Sequence, residues 1–108
     1  MMHNLDEVMT AIADPTRRAI MARLAVGPAR ISDVAAPISM SLAGVCKHVR
    51  VLERARLVRR THHGRENTLE LSAEPLREVV RWALKYEQFW NSRLDRLEES
   101  FNEKKEGS

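Results

Sequence analysis

Between Pro37 and Leu57 the chain holds a serine-bounded turn followed by a run in which apolar and basic residues fall on opposite sides of one helix. Leu42, Val45, Val49 and Leu52 recur at intervals of three, four and three, the spacing of one buried helical face. Met40, Ala43, Gly44, Lys47, Arg50 and Arg54 fall on the other side. Ser39 or Ser41 can cap the start, which predicts a helix over 41–55. Ahead of the turn, Ile31 to Ala36 leaves room for one short helix, stopped by Pro37. Two helices joined by a tight turn, the second amphipathic and basic, make a helix-turn-helix pattern.

The flanking segments extend this pattern. Leu5, Val8, Met9 and Ile12 predict a first helix over about 5–13. Asp14-Pro15 opens a second, with Asp14 as cap and Pro15 at the first helical position, where no backbone donor is needed; Gly27-Pro28 ends it. After the basic helix, Leu57–His62 and Thr68–Ser72 alternate around a loop containing Gly64, which reads as a β-hairpin spanning 57–72. A hairpin directly after such a helix is a wing. A last long helix is expected over 75–101, and the charged end, 104–108, reads as a loose tail. The expected fold is mainly α with a small β-hairpin. It is a single winged helix-turn-helix domain over 1–103 with five helices, dimeric through its terminal helices.

Charge is distributed unevenly. Between Ser41 and Arg65 seven basic residues face one acidic residue, a net of +6, whereas the whole chain carries only +3. From Pro75 onward acidic and basic residues balance, seven of each. A basic patch confined to one stretch is the footprint of a polyanion site. Ser41, Ala43 and Gly44 are small enough to bring the helix end close to base edges. Lys47, His48, Arg50 and Arg54 continue along the same helix toward bases or phosphates, while Cys46 falls at the edge of its buried face. In the wing, where alternation turns some of Arg59, Arg60, His62, His63 and Arg65 away, His63 and Arg65 are the residues expected at the duplex backbone. Arg17 or Arg18 can touch a phosphate or pair inside the fold.

The last helix has more apolar side chains than one small core needs. Trp82, Tyr86, Phe89, Trp90 and Leu94, with Leu5, Val8 and Met9 of the first helix, are therefore expected at a homodimer interface. Symmetric recognition helices would then meet successive major-groove faces about 34 Å apart. The single thiol, Cys46, gives no internal disulfide, and no signal peptide or membrane-length apolar run is present, so a cytoplasmic location is expected. A zinc site needs about four converging ligands. His3, Cys46, His48, His62 and His63 are the available set, and no metal or other cofactor is expected. No acid–base pair, phosphate loop or activated nucleophile stands out, so an enzyme is not expected. The alternative to DNA binding is a dimeric interaction module or anti-regulator that has lost its DNA affinity.

The stretch from Met40 to Val58, Asp14-Pro15-Thr16-Arg17-Arg18 before Ile20 and Leu24, the Gly64-Arg65 wing tip and the aromatic last helix together resemble the ArsR-type bacterial repressors. The resemblance covers nearly the whole chain. It implies a dimeric winged-helix repressor, often acting on its own promoter, with DNA contacts at Ser41, Ala43, Cys46, Lys47 and His48. Three positions depart from it: Cys46 replaces a common serine, Arg56 replaces a frequent glycine, and Gly44 should loosen the helix slightly. The short helix lacks the cysteines, and the last helix the histidines, through which metal-sensing relatives bind metal, so the resemblance is to the non-metal-sensing branch. It names no effector.

Overall fold

The computed structural model describes residues 4–106. Helix α1 (Leu5–Ile12) begins at Asn4, whose Oδ1 accepts the N–H groups of Asp6 and Glu7. Asp14 caps α2 (Pro15–Val26), with Pro15 in its first turn as expected. Strand β1 (Ala29–Arg30) leads into the short α3 (Ile31–Ala35). The turn follows, and then α4 (Leu42–Arg54), capped by Ser41 through a 3.1 Å hydrogen bond from the Gly44 N–H to its Oγ. Strands β2 (Val58–His63) and β3 (Glu66–Leu71) form the hairpin, and α5 (Leu76–Leu84) and α6 (Glu87–Glu106) complete the chain.

The sheet has three strands in the order β1-β3-β2, all antiparallel. The sequence pattern shows only the hairpin. β1 pairs just two residues, Ala29 with Leu69 and Arg30 with Thr68, too few to leave an alternating signature. The hairpin is also tighter than expected: His63 pairs with Glu66, leaving Gly64 and Arg65 as a two-residue loop. Gly64 has φ 64°, the positive φ that tight hairpin turns require and that glycine adopts without steric cost.

The core lies where α1, α2, α3, α4 and the sheet meet. Val8, Ile20, Leu24, Val34, Val45, Val49, Leu52, Leu57 and Leu69 are all buried. Val45, Val49 and Leu52 confirm the buried face of α4. Leu42 does not belong to it and is 55% exposed. It is the first residue of the helix, where side chains lean toward the N-terminus and overhang the core edge.

The end of α4 explains why Arg56 tolerates a position often held by glycine. Arg56 has φ 62°, the left-handed conformation. Its N–H donates to the Glu53 carbonyl at 3.0 Å, and the Leu57 N–H donates to the Leu52 carbonyl at 2.9 Å. This is a Schellman closure, and its accompanying apolar contact is supplied by Leu52 and Leu57, both fully buried. Core packing holds the turn, so Arg56 accepts a backbone strain that glycine would not feel.

The single long helix expected over 75–101 is two helices, making six among the described residues. At the join, Lys85 donates to the Trp82 carbonyl and Tyr86 to the Ala83 carbonyl. These three-residue spacings tighten the turn and end α5 without any proline or glycine to announce it. α5 packs on α1, and Leu76 and Val79 reach the core. α6 runs on through most of the residues read as a tail, to Glu106; Gly107 and Ser108 lie outside the described residues. Its side chains through Asn102 are all exposed, and the molecule is 68 Å long but 21 Å thin.

Candidate nucleic-acid interface

Because α4 buries Val45, Val49 and Leu52, its helical period turns Ala43, Lys47, Arg50 and Arg54 to the opposite side, where all four are exposed. Thirteen residues span about 20 Å, enough to cross a major groove. No ion-pair partner neutralises Lys47, Arg50 or Arg54 among the described residues. Arg54 shares an open hollow of about 260 Å³ with Asp6 and Glu7 of α1. In the wing, His63 and Arg65 are exposed at the tip. Arg60 instead donates to Glu53 at 2.8 Å, pinning the wing to the back of α4 and cancelling the one acidic residue of the basic stretch.

The remaining candidates lie on the flanks of α4. Cys46 is half-buried. Ser41 is exposed, with its oxygen turned back to cap the helix. Gly44 does more than loosen the helix: a Cβ there would come within 2.7 Å of Met40 Cγ and 2.9 Å of its sulfur. The glycine is the seat on which Met40 lies.

His48 faces α2 rather than open solvent, with its side chain 21% exposed. Its Nδ1 lies 3.1 Å from an Arg17 guanidinium nitrogen. Arginine can only donate, so Nδ1 is the acceptor in this contact. Of the His48 ring nitrogens, only Nε2 is left for a contact outside the fold.

Arg17 is the residue whose role the sequence did not reveal. Its Nε donates to the Ala11 carbonyl at 2.7 Å and a terminal nitrogen to the Thr10 carbonyl at 2.9 Å. Arg18 donates to the Ile12 carbonyl at 2.8 Å. Both arginines cap the end of α1, where helix carbonyls lack internal partners and the dipole favours positive charge. Inside the fold the partners of their side chains are helix carbonyls and, for Arg17, His48, rather than the acid expected for an internal ion pair. Asp14 Oδ2 accepts the Arg17 backbone N–H at 3.0 Å, and that bond, helped by the Arg17 charge, holds its carboxyl below the usual carboxylate value. One cluster thus ties α1, α2 and α4 together.

Of the residues expected at a dimer interface, Val8 is misplaced. It is 1% exposed, because α1 turns Val8 and Ala11 into the protomer core. Leu5 and Met9 are half-buried beside it. Trp82, Tyr86, Phe89, Trp90 and Leu94 are all exposed, joined by Val80, Leu84, Leu97 and Phe101, which extend the apolar surface along α5 and α6. Trp82 and Tyr86 meet edge-on at 5.6 Å, and Arg93 lies 4.6 Å over the Phe89 ring. Among the described residues no three His, Cys, Asp or Glu side chains converge, and no helix is long and apolar enough to cross a membrane; His3 lies outside the described residues.

A helix-turn-helix followed by a wing, with a bare basic face between them, defines a winged helix-turn-helix protein. A helix-turn-helix domain family model matches residues 12–61. The crystal structure of an ArsR family transcriptional regulator, RHA00566, superposes with a TM-score of 0.74 at 37% identity, covering 81% of this chain and 96% of that one. The chain belongs to the ArsR family of transcriptional regulators. Among curated proteins, the HTH-type transcriptional regulator Rv2034 of Mycobacterium tuberculosis is 45% identical over 53 residues, 49% of this chain and 50% of Rv2034, so the match spans about half of that relative. The transcriptional repressor SdpR of Bacillus subtilis is 27% identical over 82 residues, 76% of this chain and 91% of SdpR.

Proposed function

We propose that this protein is a sequence-specific double-stranded DNA-binding transcriptional regulator, a repressor acting on its own or a neighbouring promoter. The observation that carries this reading is the unpartnered stripe Ala43, Lys47, Arg50 and Arg54, on the side of α4 opposite Val45, Val49 and Leu52. Lys47 and Arg50 reach bases or phosphates, Arg54 extends the positive stripe, and His63 and Arg65 hold the wing on the backbone. Residues 1–103 work as one domain, with 41–55 reading DNA, 57–72 as the wing and 75–101 for dimerisation. The protein acts in the cytoplasm by binding rather than by catalysis.

The working unit is a homodimer. Helices without a packed face are marginal in water, and α6 shows no such face within the protomer through Asn102. Fully burying one leucine or phenylalanine contributes about 1.5–3 kcal/mol. Mutual burial of Phe89, Trp90 and Leu94 with the partner's copies gives that helix its packing, and Trp82 and Tyr86 extend the interface back to α5.

The test is retardation of a duplex from the protein's own upstream region across a salt series. Affinity should fall steeply with salt. Replacing Lys47 and Arg50 by alanine should weaken binding at every salt concentration, and the salt slope should drop by about one for each phosphate that is no longer neutralised. Unchanged affinity in the double variant would remove α4 as the reading element.

A further inference from the structure

The first turn of α4 has an unusual surface for a helix end that is to enter a polar groove. Met40, just ahead of the cap, is 41% exposed, Leu42 is 55% exposed, and Ala43 next to it is exposed as well. Ser41 accepts the Gly44 N–H with its oxygen. The next polar side chain on the exposed stripe is Lys47, one turn further on. Met40 lies against the bare Cα of Gly44, so its thioether is seated rather than free. The leading end of the helix therefore offers base edges mostly carbon and sulfur.

Thymine is the one base whose major-groove edge carries an apolar group, its C5-methyl. Guanine, cytosine and adenine present donors and acceptors there, and covering these with leucine removes their water without replacing the hydrogen bonds. Such an end gains from thymine and loses from G·C pairs. The charge further along the helix decides what the apolar end meets, since Lys47, Arg50 and Arg54 continue the same element and draw it to a polyanion.

We propose that Met40, Leu42 and Ala43 form an apolar reading head for thymine C5-methyl groups in each operator half-site, with Leu42 as its specificity-determining residue. The inference rests on the DNA-binding reading and specifies what the leading end of α4 selects. Gly44 acts as a positioning residue, because any Cβ there displaces Met40.

The experiment uses the full-length protein and the duplex located by footprinting. Each thymine under the protected half-site is replaced in turn by deoxyuridine, which keeps the pairing edge and the O4 acceptor and removes only the methyl. At one or two positions the wild-type affinity should fall about fourfold per methyl. Leu42→Ala should lose most of the thymine preference, with unchanged circular dichroism because Leu42 lies outside the core. Gly44→Ala should reduce the thymine preference without abolishing salt-dependent binding. Salt-sensitive binding by the wild type with no thymine preference at any position would overturn this inference and leave the DNA-binding reading standing. So would a Leu42→Ala variant that keeps the full preference. Failure to retain any duplex at low salt would overturn both.

Discussion

Replacing Arg17 by alanine removes a side chain that holds three helices at once. It makes two hydrogen bonds to α1 carbonyls, at 2.7 and 2.9 Å, and one to His48 at 3.1 Å. Charge-assisted hydrogen bonds contribute about 1.5–3 kcal/mol each where buried, but the site is only half-buried and water replaces part of what is lost. A value of about 1 kcal/mol per bond gives a total of about 3 kcal/mol. For a domain of this size that lowers Tm by roughly 12–24 °C. Urea and thermal unfolding should be compared at one fixed protein concentration, since stability and association are linked in a dimer. Arg17→Lys should recover about a third of the loss, because an ammonium cannot reproduce the planar fork. His48→Ala should cost about 1 kcal/mol, and the double-mutant cycle should show coupling of about that size. The reasoning is refuted if Arg17→Ala stays within about 0.5 kcal/mol of wild type, the range typical of surface changes. Full restoration by lysine would show that charge alone matters at this position.

Arg56→Gly relieves the left-handed backbone strain, worth about 1–2 kcal/mol, but loosens the unfolded chain by up to about 1 kcal/mol. The expected net is a small rise in Tm, and a fall would mean that the Arg56 side chain contributes something the geometry does not show. Asp14 has a depressed carboxyl pKa in the folded state, so its contribution is present above the unfolded value near about pH 4 and is lost as pH falls through the folded value. Asp14→Asn keeps a capping oxygen but not the charge, so it should flatten that acid limb and lower Tm at pH 7 by about the limb's amplitude, and Asp14→Ala, which loses the cap as well, should lower it further. Leu94→Glu, on the exposed face of α6, should halve the sedimenting mass, and a dimer of unchanged affinity would move the interface elsewhere.

The helix-turn-helix was legible because its signals are local. Asp14-Pro15 and Ser41 mark helix starts by their own hydrogen-bonding chemistry, and Val45, Val49 and Leu52 mark a buried face by spacing alone. The errors fall where a residue's position depends on something distant. Val8 and Met9 look alike in the helical pattern, yet α1 rotates Val8 into the core and leaves Met9 half-buried at its edge. Leu42 fits the apolar spacing but sits one turn beyond the core. Arg17 has carbonyl partners six and seven residues earlier and an imidazole 31 residues later, a meeting that no periodicity encodes.

By itself the amino-acid order determined the secondary elements that caps and periodicity specify, the concentration of positive charge between Ser41 and Arg65, and the excess of apolar side chains near the C-terminus. Tertiary structure decided which flank of α4 His48 occupies, that Arg60 binds Glu53 rather than facing outward, that Gly44 seats Met40, and where the final helix breaks. The physical reason is range. Helix periodicity and caps act across about four residues and are written in adjacent positions. Side-chain partners are fixed only once several elements pack and each polar group takes the nearest unsatisfied donor or acceptor.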